Sequence, residues 1–182
     1  FAAPALMAGN IAVLKHAANV TGCSLLLENI FQEAGFPAGV FQSLVIGNQL
    51  VEKVIQSDIV QGIALTGSEY AGSSVGALAG KSIKKTVLEL GGSDPFIVLA
   101  DADLDKAVKN ATQSRMQNAG QSCIAAKRFI VNNNIKDEFV TRFTESIRAL
   151  KQGNPFDESV TTGPLARVDL AETLERQLDN TI

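Results

Sequence analysis

Histidine and cysteine are scarce in this chain of 182 residues: His16 stands alone, and Cys23 and Cys123 lie far apart. A protein metal centre needs three or four ligands, so one histidine, two separated cysteines and scattered carboxylates exclude one from the reading. Two cysteines also make no disulfide framework, and a reducing, cytoplasmic setting is expected. Sixteen Lys+Arg against nineteen Asp+Glu give a net charge of −3, with neither sign strongly clustered. That excludes the basic footprint of a nucleic-acid binder. The longest nearly apolar run, Phe1 to Leu14, is interrupted by Pro4, Gly9 and Asn10. It falls well short of the ~20 residues that span a bilayer, and no membrane partner is expected.

What remains is a globular composition, 46% hydrophobic and 19% charged, enough for a real core in one or two domains. The chain opens without methionine inside an apolar segment and closes at 179–182 inside a helical pattern. An internal segment of a longer protein is expected.

Short apolar runs alternate with helical spacing along the chain. Ile11 to Leu14 reads as a strand, Thr21 to Gly35 as a helix with a glycine stop, and Val40 to Ile46 as a second strand. Helical spacing over 47–56 then leads to a strand at Ile59 to Leu65, a helix after Ser68 to Gly80, and a strand at Lys85 to Leu90. Strands that alternate with helices of ~10 to 15 residues imply an α/β fold with a parallel sheet and helices on its faces. The alternation restarts beyond Gly91-Gly92: Phe96 to Leu99 as strand, Leu104 to Asn118 as helix, Arg128 to Val131 as strand, Lys136 to Lys151 as a long amphipathic helix. Gly91 to Pro95 is the most hinge-like stretch, and a domain boundary is placed there.

Cys23 falls on a helical pattern, and free cysteine is among the most buried residue types, so it is expected in the core. Cys123 follows Gly120-Gln121-Ser122 in a loop, where function concentrates, although no histidine stands nearby to activate it. Glu89 interrupts an otherwise apolar strand end, and a carboxylate there must be solvated, paired or functional. An exposed edge-strand position and a functional one fit it equally. Gly67 and Ser68 join a strand to a helix, where backbone N–H groups can receive a phosphate, and a simple Ser N-cap explains the pattern as well. Lys15 ends the first strand at the carboxyl edge where parallel sheets bind ligands; a solvated lysine is the alternative. His16 is too isolated to serve a nucleophilic pair.

Taken in order, Thr66-Gly67-Ser68, Leu88-Glu89-Leu90-Gly91-Gly92 and Gly120-Gln121-Ser122-Cys123 closely resemble the hallmark motifs of the NAD(P)-dependent aldehyde dehydrogenase superfamily. The spacing from Glu89 to Cys123 matches as well, and the resemblance runs to Gly163-Pro164-Leu165-Ala166-Arg167. The stretches 92–96 and 121–129 look most like the bacterial succinate-semialdehyde dehydrogenase branch. The resemblance implies part of a Rossmann-like cofactor domain over 1–91 and the start of an α/β catalytic domain over 92–182. It makes Cys123 the nucleophile and Glu89 the general base, with Lys15, Gly67, Ser68 and Leu90 on the cofactor. It implies NAD or NADP as cofactor, a small aldehyde such as succinic semialdehyde as substrate, and a homo-oligomeric parent.

Two positions depart from the pattern. Gln117 stands where many members of the branch carry an arginine for the substrate carboxylate, and Arg115, two residues earlier, is expected to point elsewhere on the helix. Ala18 stands where NAD-selective relatives often carry a glutamate for the ribose 2′-hydroxyl, so a 2′-phosphate would meet no repulsion. The resemblance also implies that the asparagine completing the oxyanion hole and the acid at the nicotinamide ribose lie outside these residues, leaving the segment alone inactive. Two rivals stay open: a non-catalytic protein of the same fold, and a thiol acyltransferase or redox protein that uses Cys123 without a nicotinamide.

Overall fold

The computed structural model describes residues 1–181 and divides into two compact units, Phe1–Leu90 and Gly91–Ile182. The first holds helix α1 (Ala2–Met7), strand β1 (Ala12–Leu14), α2 (Thr21–Glu33), β2 (Phe41–Ser43), α3 (Val51–Gln56), β3 (Gly62–Thr66), α4 (Glu69–Lys81) and β4 (Lys85–Glu89). The second holds β5 (Asp94–Val98), α5 (Leu104–Met116), β6 (Ala126–Val131), α6 (Lys136–Arg148) and α7 (Val168–Asp179). Strands pair in parallel as β1 with β2, β3 with β4 and β5 with β6. Each pair encloses a helix in sequence, giving three βαβ units of an α/β fold, the connection that parallel pairing requires.

Local chemistry explains these elements. α2 packs on β2 through Phe31, whose ring stacks on Phe41 at 4.5 Å. Glu28 accepts the Ser43 N–H at 2.9 Å on the same side. α4 starts where the Ser68 hydroxyl accepts the Ala71 N–H at 3.2 Å, a helix N-cap. Its buried face is small: a Cβ at Gly72 would meet the Leu90 side chain at 2.5 Å and one at Gly76 would meet Leu88 at 3.6 Å. Glycine here is what lets the helix lie close on the strand. In the second unit α5 is capped by Asp103, which accepts the Lys106 N–H at 3.2 Å. α5 buries Val108 and Ala111 against Val98 and Phe139, with Phe96, Phe129 and Phe143 packed around them.

Several boundaries differ from the sequence expectation. The six-residue α1 is unanticipated, because Pro4 reads as a breaker; it sits in the first turn, where no intrahelical N–H is required of it. Residues 58–61 turn instead of opening β3, with Val60 N–H bonded to Ser57 O at 3.0 Å. The segment 47–56 splits into a 3-10 turn, Asn48–Leu50, and α3. α5 stops at Met116 because Gln117 swings to ψ 129. Asp94 and Pro95 belong to β5, with a register shift between them, which leaves 91–93 without regular structure. A proline at a bulge sacrifices no regular ladder bond.

Cys23 is a correction: it is exposed on α2. Its neighbour Ser24 takes the inward position at 2% exposure, because its hydroxyl donates to Ser43 Oγ at 2.8 Å and its carbonyl accepts from the same hydroxyl at 2.7 Å. The helical pattern expected at 179–182 is corrected: α7 ends at Asp179 with Asn180 as its C-cap. Thr181 turns, its N–H bonded to Leu178 O at 2.9 Å, and Ile182 lies outside the described residues. No helix among the described residues is long and apolar enough to cross a membrane. No group of three or more His, Cys, Asp or Glu among them could hold a metal ion.

Candidate active site

Cys123 lies in the connection from α5 to β6, and the path of that connection is unusual. Asn118 and Ala119 both take left-handed backbone conformations, φ 52 and φ 54, followed by Gly120 at φ 79. Left-handed backbone costs a non-glycine residue roughly 1–2 kcal/mol, so surrounding bonds must hold it. Gln121 donates its side-chain N–H to Asn118 O at 3.0 Å, and its side-chain oxygen accepts the Ala166 N–H at 2.9 Å. Arg115 donates from one guanidinium nitrogen to Gly120 O at 2.8 Å and from the other to Ala126 O at 3.1 Å. The Ala126 N–H in turn donates to Ser114 Oγ at 3.0 Å.

The thiol sits on a short turn closed by Ala125 N–H to Ser122 O at 3.2 Å. Cys123 is exposed there, and Lys127 places its ammonium 3.1 Å from the Cys123 carbonyl. No hydrogen bond engages the Cys123 N–H among the described residues, so a strong donor is left for an incoming oxygen. A side chain at Gly92 would stand 3.7 Å from the Cys123 carbonyl, which brings the second glycine of the Glu89 motif to this turn.

Glu89 is the last residue of β4 and is exposed. Its main-chain oxygen accepts the Gly67 N–H at 3.0 Å, which ties it to the loop that caps α4. Leu90 rests its side chain on Gly72. Lys15 follows β1 directly, with no carboxylate partner among the described residues. Beside it His16 is 8% exposed; its Nδ1–H donates to Ala17 O at 2.8 Å, and its Nε2 has no partner among the described residues. An unpaired ammonium and a Ser-capped helix N-terminus are donors that fit an anionic dinucleotide. Gly67, Ser68, Leu90 and Glu89 are thus brought together in the first unit, and Cys123 belongs to the second.

The side chains that hold the nucleophile loop, Arg115, Gln121, Lys127 and Ser114, were not read from the sequence as site residues. Arg115 carried the one usable signal, a basic side chain in the last turn of a helix, where it can reach nearby carbonyls.

Residues 1–182 match the model of the aldehyde dehydrogenase family. The chain is 55% identical over its whole length to a probable succinate-semialdehyde dehydrogenase, NADP(+), of Synechocystis, and covers 40% of that protein. A succinate-semialdehyde dehydrogenase, NADP(+), of Mycobacterium avium is 53% identical over the whole chain, which spans 39% of its length. Among solved structures, succinic semialdehyde dehydrogenase from Streptococcus pyogenes in complex with NADP+ superposes with a TM-score of 0.91. It shares 40% identity, over 98% of this chain and 40% of that one. Lactaldehyde dehydrogenase from Escherichia coli superposes with a TM-score of 0.93 at 36% identity, over 98% of this chain and 38% of that one. The chain therefore spans about 40% of the length of the curated relatives it matches.

Proposed function

The chain belongs to the aldehyde dehydrogenase family, and from that premise we propose that the protein oxidises succinic semialdehyde to succinate with NADP, Cys123 acting as nucleophile and Glu89 as general base. The observation that carries this reading is the 55% identity over the whole chain to a relative named for that substrate and cofactor. Residues 1–91 are assigned to the cofactor and 92–182 to the nucleophile. Lys15, Gly67, Ser68 and Leu90 are the residues assigned to hold the dinucleotide, and Ala18 presents no carboxylate to repel a 2′-phosphate.

A cysteine thiol is largely protonated at neutral pH and reacts as the thiolate. Glu89, directly or through a water, takes the Cys123 proton, and the sulfur adds to the aldehyde carbon. The carbonyl π pair moves to oxygen, where the Cys123 N–H stabilises the negative charge, a contribution typically worth about 10²- to 10³-fold per donor. Bound nicotinamide dinucleotide supplies the acceptor for the hydride given up by the thiohemiacetal carbon. Glu89, once it has released the first proton to solvent, removes a proton from water as its oxygen adds to the thioester carbon. The carbon–sulfur bond breaks with Cys123 leaving as thiolate, and the acid product gives its remaining proton to solvent as carboxylate. The exposed turn of Cys123 and the exposed carboxylate of Glu89 support this division of roles. Gln117 gives the substrate carboxylate no counter-charge, so neutral aldehydes belong in the test.

Steady-state assays of the intact protein with succinic semialdehyde and with neutral aldehydes of similar length, each with NADP and NAD, test the reading. The highest kcat/KM is expected for succinic semialdehyde with NADP. Absence of aldehyde-dependent reduction of either nucleotide, with thiol exchange or acyl transfer at Cys123 instead, would overturn it.

A further inference from the structure

We infer that Arg115 is the positioning residue of the nucleophile loop, its guanidinium fixing the two ends of the segment that presents Cys123; the inference rests on Cys123 being the nucleophile. The two bonds reach Gly120 O and Ala126 O, at 2.8 and 3.1 Å, and the thiol lies between those anchors. A planar fork with fixed donor directions sets the separation of two acceptors in a way that a single ammonium cannot. Arg115 pairs with no carboxylate among the described residues, so the whole charge-assisted strength of the group is directed at the loop backbone.

Gly120 shows how closely the two are fitted. A Cβ there would lie 2.6 Å from the Arg115 guanidinium nitrogen, and the backbone is at φ 79, so both space and conformation call for glycine. The guanidinium thereby occupies the volume beside the left-handed turn and bonds the carbonyl that the turn exposes. Lys127 reaches the same loop through one ammonium, at 3.1 Å from Cys123 O and 3.4 Å from Ser122 O, and leaves the Gly120 anchor untouched. Without the fork, 118–120 keep the Gln121 bonds to Asn118 O but lose the bond at Gly120 O, and the sulfur and N–H of Cys123 move together. A misplacement of about 1 Å at reacting atoms costs on the order of 10²-fold.

The test uses Arg115→Met and Arg115→Lys in the intact protein, with Cys123→Ser as reference. Circular dichroism, active-site titration by iodoacetamide with peptide mass spectrometry, kcat and the KM for NADP are measured for each. Arg115→Met is expected to lose about 10²-fold in kcat per titrated Cys123 with the KM for NADP unchanged, to regain part of it with added methylguanidine, and to be outperformed by Arg115→Lys. A kcat within about threefold of wild type per titrated site overturns the inference, as does a loss that only follows the folded fraction. Should Arg115→Met fail to fold, Arg115→Lys decides: wild-type kcat contradicts the positioning role, and a loss in kcat alone supports it. If Cys123→Ser keeps turnover, the nucleophile assignment itself fails; if it abolishes turnover while both Arg115 variants behave as wild type, only the positioning role fails.

Discussion

Gly67 donates its N–H to the carbonyl of Glu89 at 3.0 Å, one step beyond the last register pair of β3 and β4, Thr66 with Glu89. The bond joins the loop that caps α4 to the proposed base, and it uses only main-chain atoms. Altering the Glu89 side chain should therefore leave the loop in place. Glu89→Gln is expected to slow turnover by about 10²- to 10⁴-fold, the usual range for a general base, while NADP affinity by fluorescence titration stays within about twofold. Unchanged turnover, or affinity lost in step with it, would count against the base role.

Gly72 is where α4 meets Leu90, with only 2.5 Å available to a Cβ. Gly72→Ala must displace Leu90 or lift the helix, an overpacking that costs about 1–3 kcal/mol. Because Ser68 and Leu90 both lie at this junction, the KM for NADP should rise with the loss of stability. A stable variant with wild-type KM would show that the junction has slack.

Ile83 ends α4 in a left-handed conformation, φ 55, at 95% exposure. Its N–H bonds Gly80 O at 3.1 Å and the Lys84 N–H bonds Ala79 O at 2.9 Å, the paired closure that normally carries glycine. Ile83→Gly removes a backbone cost and almost no packing, so urea denaturation should show a gain of about 1 kcal/mol with kcat unchanged. A loss of stability would mean that the side chain has a partner outside the described residues.

Asp103 caps α5, the helix that leads into the nucleophile loop. The Lys106 backbone N–H, then its ammonium, hold this carboxyl below its ordinary value. A carboxylate depressed in the folded state contributes stability above its unfolded pKa and loses it as pH falls through the folded one. Asp103→Asn keeps a capping oxygen without the charge, so its unfolding midpoint should fall less between neutral and acidic pH than that of the wild type. Parallel acid curves would exclude Asp103 from the acid response.

Much of this was legible in the sequence, and the exceptions have physical reasons. Short apolar, β-branched runs punctuated by glycine revealed the six strands of the described residues, because those residue types favour extended backbone and the glycines mark where it ends. Cys23 is exposed because its neighbour Ser24 takes the inward position, held there by a reciprocal hydroxyl network with Ser43 that sequence pattern does not reveal. The stop of α4 at Lys81 falls one residue beyond the expected Gly80, although isoleucine, not glycine, takes the left-handed position that closes it. Cys123 and Glu89 stood out through their motifs. The target of Arg115 did not, because its acceptors are set by a left-handed path that local propensity disfavours at Asn118 and Ala119.

The central claim is that Cys123 carries the acyl group, and trapping it is the most direct test. Glu89→Gln protein mixed with succinic semialdehyde and NADP, quenched in acid and digested, should yield a succinyl thioester on the Cys123 peptide, absent from a Cys123→Ser control. An adduct on Cys23, or turnover that survives Cys123→Ser without any adduct, would contradict the account.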